Sequence, residues 1–131
     1  CVNGEPWCAN CFYVYLEEKN ALVFTTDTET RHGKEFRENP LVAGSVVLET
    51  PVTGKIRGIQ FQAVVSELRG DDLSLARKAY RKRFPVAMLM ETHLWIAELT
   101  LVKMTDNRLG FGKKIIWTSG KERGSQISDL N

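Results

Sequence analysis

The sequence is poor in the residue types and patterns that define several protein classes. It has three cysteines and two histidines, and its formal net charge is only +2. Three cysteines confined to the first eleven residues do not make a disulfide framework. No run of 18 apolar residues occurs, so no membrane span is predicted. A G-x-G-x-x-G motif is also missing, and the nearly balanced charge argues neither for nor against a nucleic-acid partner.

The composition is that of one small globular domain. The chain has 131 residues, of which 43% are hydrophobic and 26% charged. A domain of this size buries roughly 70% of its unfolded surface, which is enough for one core. We predict a single domain over residues 1–119, followed by a polar tail over residues 120–131. A reducing, cytoplasmic compartment is the expected location.

A C-x-x-C pair, Cys8 and Cys11, lies in a stretch that favours a strand over residues 7–16. A spacing of three places the two side chains on opposite faces of a strand, and both faces are largely apolar. A zinc site needs a second pair of ligands, and His32 and His93 do not supply an obvious one. We therefore predict buried apolar packing for the cysteines, and no metal.

The order of predicted elements indicates an antiparallel β-barrel with α-helices packed on it. Strands are expected over residues 7–16, 22–26, 42–48, 55–68, 94–104 and 113–118. Helices are expected at 31–39, from Asp71 or Asp72 as cap to Phe84, and at 86–91. An Asn-Gly pair predicts a turn near residue 3, and Gly58 predicts a bulge or a close backbone approach.

The helix ending at Phe84 has a basic face of five side chains: Arg77, Lys78, Arg81, Lys82 and Arg83. Such a face could attract nucleic acid or an acidic partner. A solvated helix surface is the favoured interpretation, because no stacking aromatic residue is interleaved on that face. We therefore expect no nucleic-acid partner.

The most informative stretch is residues 22–47, which read as strand, polar loop, short helix and strand. Thr30 can cap the helix, and Pro40 ends it. A helix N-terminus presents free N–H groups and partial positive charge, to which Arg31 and nearby threonine hydroxyls add donors. This is a candidate phosphate cradle. On composition alone, a simple cap with a solvated Arg31 is the favoured alternative.

The order TT-x-x-x-TRH, ENP and VAGSVV resembles the flavin-binding split barrels of the pyridoxamine-phosphate oxidase superfamily. The likeness is closest to the bacterial YhbP-like proteins and includes PWCANCFY, LARKAYRKRFPVA and TDNRLGFGKKIIW. It implies a six-stranded antiparallel split barrel of the FMN-binding type. It also implies a homodimer with the flavin at the interface, and a further helix and strand before Cys1.

The resemblance also implies a set of FMN contacts. Arg31 takes the position of the phosphate-binding arginine, and His32 replaces the usual lysine after it. Gln60 lies two residues from the position of the family's glutamine. The other matched residues are Thr25, Thr26 and Thr30 near the phosphate, Asn10, Cys11 and Phe12 along the ring, and Lys113 and Trp117 near the C-terminus.

The function that follows from the resemblance is a flavin-dependent oxidoreductase acting on an unknown small molecule. No general acid, base or nucleophile can be recognised, so flavin would carry the redox chemistry. Because the lysine is replaced by His32, an alternative is a non-catalytic split-barrel binding protein. It would have lost flavin or would bind haem or a deazaflavin, with His32 and His93 as possible axial ligands.

Overall fold

A computed structural model describes the protein over residues 1–86 and 93–120. Within these residues there are six strands and two α-helices. The strands are β1 (Tyr13–Leu16), β2 (Ala21–Thr25), β3 (Leu41–Leu48), β4 (Arg57–Glu67), β5 (Leu94–Asp106) and β6 (Lys114–Thr118). The helices are α1 (Arg31–Glu38), between β2 and β3, and α2 (Gly70–Arg83), between β4 and β5.

The strands form one antiparallel sheet in the order β1-β2-β5-β4-β3. β5 is the longest strand, and it pairs along its length with β4. On its other edge, β5 pairs first with β2, from Leu94 to Glu98, and then with β6, from Leu101 to Thr105. One edge of β5 is therefore shared by two different strands, and a register shift against β4 falls near the change of partner.

Two clusters of buried side chains lie on the two faces of β2 and β5. On one face, Val23 and Ile96 pack against Ala76 and Tyr80 of α2. On the other face, Phe24 and the buried Trp95 pack with side chains of β4, and Phe36 of α1 packs against this cluster. Because successive strand residues alternate between faces, β2 is buried on both sides. This rigid strand carries the loop that leads into α1.

The buried residues of α2 are those predicted, but its N-terminal cap is not. Ala76 and Tyr80 are buried, and Leu73 and Phe84 pack against them, as the helical spacing predicts. The prediction that Asp71 or Asp72 caps the helix is wrong. The helix begins at Gly70, and both aspartates lie in its first turn, where their charge suits the helix dipole.

The predicted strand over residues 7–16 is wrong in its first half. β1 begins at Tyr13, whose partner Phe24 is near the end of β2. Past that point β2 turns into the loop before α1, so no strand among the described residues pairs with residues 7–12. As a result Cys8 and Cys11 are exposed, as is Cys1, and the predicted burial of the cysteines is also wrong.

The other turn and glycine predictions are confirmed. Asn3 and Gly4 both have positive φ and connect an antiparallel bridge between Val2 and Glu5. At Gly58 a Cβ atom would lie 2.8 Å from the backbone oxygen of Val46, so this is a close backbone approach.

Two predictions lie outside the described residues: the helix at 86–91, beyond its first residue, and the tail after residue 120. In the parts of the chain that the structure describes, no helix is long and apolar enough to cross a membrane.

Candidate functional site

The loop between β2 and α1 is held by local hydrogen bonds. Asp27 accepts the amide of Glu29 at its Oδ1, and its carbonyl oxygen accepts both the amide and the hydroxyl of Thr30. Thr30 then caps α1, because its Oγ1 accepts the amide of Gly33 at 3.1 Å. A Cβ atom at Gly33 would lie 2.5 Å from the Asp27 carbonyl oxygen, so only glycine fits this turn.

The capped end of α1 presents backbone donors. Among the described residues, the amides of Arg31 and His32 have no hydrogen-bond acceptor, as is usual for the first turn of a helix. The partial positive charge of the helix N-terminus lies at the same place. The geometry therefore suits a small anion.

A polar cluster of Thr26, Thr30 and His32 lies beside these amides. The Oγ1 of Thr26 is hydrogen-bonded to Nε2 of His32 and lies 3.3 Å from the Oγ1 of Thr30. Thr26 is buried, and its carbonyl oxygen accepts the indole N–H of Trp95 at 3.2 Å. These contacts to the end of β2 fix the direction of the His32 ring, whose edge also meets Phe36.

Arg31 is engaged on three sides. Its Nε donates to Oε1 of Glu35 at 2.7 Å, and its Nη2 donates to Oε2 of Glu5 at 3.2 Å. The ring of Trp7 lies against the guanidinium, with 4.5 Å between Cζ and the ring centroid. The hydrogen bond to Glu35 is the main cause that raises the pKa of Arg31. The donor fork expected to be solvated or open thus already holds two carboxylates.

The contacts of Arg31 differ in how far the sequence predicts them. Glu35 is four positions after Arg31 on the same helix, a spacing that predicts an ion pair. Glu5 is 26 residues away, and no local pattern points to it. Trp7 lies outside the sheet, in the segment before β1, so no strand pattern predicts its contact with Arg31.

Thr25 is separated from the other threonines. Neighbouring strand residues point to opposite faces, so Thr25 faces α2 while Thr26 faces α1. The Oγ1 of Thr25 lies 3.3 Å from the hydroxyl of Tyr80, which also donates to the carbonyl oxygen of Phe12 at 3.3 Å. Tyr80 thereby links β2 to the segment before β1, a role that the sequence did not reveal.

The remaining predicted site residues lie elsewhere on the molecule. Asn10, Cys11 and Phe12 are exposed in the segment before β1. Gln60 on β4 pairs with Lys103 of β5, which is roughly 25 Å of extended strand beyond Trp95. Lys113 precedes β6, and Trp117 lies on β6 opposite Val102. Within one chain, the structure brings together Thr26, Thr30, Arg31 and His32, and leaves Gln60, Lys113 and Trp117 apart.

Comparison with known sequences finds close relatives. The chain is 46% identical over 113 residues to a UPF0306 protein of Photorhabdus laumondii, covering 86% of this chain and 79% of the relative. It is 44% identical over 117 residues to the UPF0306 protein YhbP of Escherichia coli, covering 89% and 80%. No family model matches the chain.

Comparison with solved structures confirms the predicted split-barrel fold. A heme binding protein from Mycobacterium smegmatis is 20% identical with a TM-score of 0.75, over 89% of this chain and 49% of that one. This chain therefore spans about half of that protein. A pyridoxamine 5'-phosphate oxidase-related, FMN binding protein from Nostoc punctiforme is 15% identical with a TM-score of 0.54, over 82% and 70%.

Proposed function

The chain belongs to the UPF0306 family of YhbP-like proteins, and we propose that it binds FMN and acts as a flavin-dependent oxidoreductase on a small molecule. The observation that carries this proposal is the grouping of Thr26, Thr30, Arg31 and His32 at the open N-terminus of α1. The proposal is further supported by the split-barrel fold shared with a protein described as FMN-binding.

The donors at α1 fit a phosphate group. A phosphate monoester carries about −1.5 to −2 charges at neutral pH and has three strong acceptor oxygens. The free amides of Arg31 and His32, with the Arg31 guanidinium, supply donors for these oxygens. His32 stands in place of a lysine, and its Nε2 is hydrogen-bonded to Thr26, so the imidazole helps to fix the shape of the cradle.

The exposed segment with Asn10, Cys11 and Phe12 is the proposed position of the flavin ring. It begins three residues after Trp7, which lies against Arg31 of the phosphate cradle. Tyr80 holds this segment through the Phe12 carbonyl oxygen. Bound flavin would supply the redox chemistry, while the chain anchors the phosphate and orients the ring.

We also propose that the protein is a homodimer with the flavin site at the interface. One face of the sheet carries apolar side chains that strand alternation aligns: Val46, Ile59, Met104, Ile115 and Trp117. Ile115 and Trp117 are 46% and 42% exposed. A contiguous apolar face of this kind is typical of an interaction surface. A second copy on this face would give Lys113 and Trp117 a route to a flavin held at α1 of the first. Gln60 follows Ile59 on β4 and therefore points to the opposite face of the sheet.

The test is a flavin titration of the full-length protein and two arginine variants, followed by flavin fluorescence. Arg31→Ala should weaken FMN binding by about 10- to 100-fold, because it removes hydrogen bonds to a charged group. Arg37→Ala, on the same helix but away from the cradle, should bind normally. Riboflavin, which has no phosphate, should not distinguish Arg31→Ala from wild type. Equal FMN affinity in wild type and Arg31→Ala would contradict the proposal.

A haem-binding function is the second candidate, and one observation favours it. Both histidines of the chain contact Thr26, His32 through its ring and His93 through its backbone. Nε2 of His32 is hydrogen-bonded to the Thr26 hydroxyl, and the His93 carbonyl oxygen accepts the Thr26 amide at 3.3 Å. Nδ1 of the His93 ring lies 3.3 Å from Oε1 of Glu67. The solved structure with the higher TM-score is described as heme binding. Titration with haemin separates the candidates, since axial ligation predicts a Soret shift that His32→Ala or His93→Ala removes.

A further inference from the structure

The two carboxylates on Arg31 are held in different ways. Glu35 lies one helical turn away, makes the shorter contact at 2.7 Å, and has a side chain that is only 17% exposed. Glu5 makes a single contact at 3.2 Å, and its side chain is 77% exposed. An exposed, single-contact ion pair is weak and exchangeable. Of the two, Glu5 is the one that a ligand can replace.

The N-terminal hairpin, residues 2–5, positions Glu5 beside Arg31. The amide of Glu5 donates to the carbonyl oxygen of Val2 at 3.0 Å, which closes the turn at Asn3 and Gly4. The carbonyl oxygen of Cys1 accepts the side-chain amide of Asn39 at 2.9 Å, which ties the hairpin to the end of α1. The hairpin therefore holds a carboxylate at the mouth of the proposed cradle.

We propose that Glu5 occupies the phosphate position on Arg31 in the free protein, and that it makes the site selective for dianionic groups. Glu35 remains in place and acts as a positioning residue for the guanidinium. This inference rests on the proposed function, because it assigns the ligand of the cradle to the class of phosphate monoesters and related dianions.

The selectivity follows from charge and attachment. The Trp7 ring covers one face of the guanidinium. Because the N–H donors lie in the guanidinium plane, a ligand accepts hydrogen bonds at its edge, where Nη2 holds Glu5. A carboxylate ligand brings no more charge than Glu5, and it competes against a group already attached to the chain at high effective concentration. A phosphate brings up to two charges and can also accept the free amides of Arg31 and His32. Only a dianion therefore binds Arg31 more favourably than the Glu5 carboxylate that it replaces.

The test uses Glu5→Gln with Glu29→Gln as the matched control. Glu29 is 76% exposed, lies in the loop before α1, and pairs with Lys34 rather than with Arg31. Affinity for inorganic phosphate and for acetate is measured by thermal shift at constant ionic strength, and affinity for FMN by flavin fluorescence, in full-length protein. Each measurement is repeated in Glu35→Gln and in Glu5→Gln/Arg31→Ala.

Glu5→Gln should bind phosphate and FMN about two- to fivefold more tightly than wild type, the amount expected when an exposed ion pair no longer competes. Acetate should stabilise Glu5→Gln but not wild type. Glu29→Gln should change phosphate affinity less than Glu5→Gln does. Glu35→Gln should bind phosphate more weakly than wild type, and Arg31→Ala should abolish the gain of Glu5→Gln.

The outcomes separate this inference from the proposed function. Phosphate affinity in Glu5→Gln no tighter than in Glu29→Gln overturns the inference, as does a failure of all variants to bind phosphate. Arg31-dependent FMN binding would leave the proposed function standing in both cases. If no variant binds FMN but Glu5→Gln gains phosphate affinity through Arg31, the proposed function fails and the inference stands.

Discussion

At the scale of single residues, Asp106 shows how burial and pairing change a carboxyl group. It is 7% exposed, and its Oδ1 accepts the backbone amide of Arg108 at 3.0 Å and Nε of Arg108 at 2.9 Å. The side-chain hydrogen bond from Arg108 is the main cause that lowers the pKa of Asp106 from an ordinary 3.8 to about 2. The pair closes the turn after β5, where the TDNRLGFGKK stretch begins.

This pKa predicts how the free energy of unfolding depends on pH. The unfolded carboxyl group takes up a proton near pH 3.8, whereas the folded one does so near pH 2. The contribution of the pair is therefore complete above about pH 5 and is lost as pH falls from 3.8 towards 2. Urea unfolding of wild type and Asp106→Asn should show a constant stability gap above pH 5 that narrows below pH 4. A gap independent of pH would contradict the role given to Asp106.

At the scale of elements, Gly58 controls how closely β3 and β4 pair. A Cβ atom there would lie 2.8 Å from the Val46 backbone oxygen, a neighbour that cannot move without shifting the strand. Gly58→Ala should therefore lower the free energy of unfolding by about 1–3 kcal/mol, measured from urea unfolding midpoints. Gly54→Ala is the control, because a Cβ atom at Gly54 meets nothing within 4 Å. Equal midpoints for the two variants would rule out the steric argument.

The elements that could be predicted from the sequence are those whose signals are local. Thr30 and Pro40 mark the two ends of α1, and Ala76 and Tyr80 mark the buried stripe of α2. The strand predicted from Trp7 is wrong over residues 7–12, because apolar alternation is also found in a segment that no described strand pairs with. Whether that segment is paired depends on where β2 ends, and the sequence of the segment itself does not show this.

In the candidate site, too, the contacts between residues close in sequence could be predicted, and the long-range contacts could not. The cap at Thr30 and the position of Arg31 follow from residues within a few positions of each other. The contact of Arg31 with Glu5 spans 26 residues and depends on the N-terminal hairpin folding back along α1. The separation of Thr25 from Thr26 is implied by strand alternation, but its consequence, a contact with Tyr80, needs the position of α2.

At the scale of the whole molecule, β5 connects the two halves of the barrel. Its first half lies between β2 and β4, where both faces are covered by buried clusters. Its second half lies between β4 and β6, and every residue of β6 is exposed. Within residues 1–86 and 93–120, the half of the sheet near α1 is covered, whereas Ile115 and Trp117 on the other half are exposed. The second copy in the proposed homodimer would cover these side chains.

The proposed homodimer predicts a definite response to charge on that face. Trp117→Lys replaces a large apolar side chain by a cation and should raise the dimer dissociation constant by about 30-fold or more, since a central tryptophan typically contributes at least 2 kcal/mol. Val47→Lys is the control, because Val47 is 69% exposed and points to the opposite face from Val46. Sedimentation velocity at micromolar concentration should give twice the chain mass for wild type and Val47→Lys, and the chain mass for Trp117→Lys.

If wild type is monomeric, the exposed apolar face is not a homodimer interface. If Val47→Lys alone dissociates, the second copy binds the other face of the sheet.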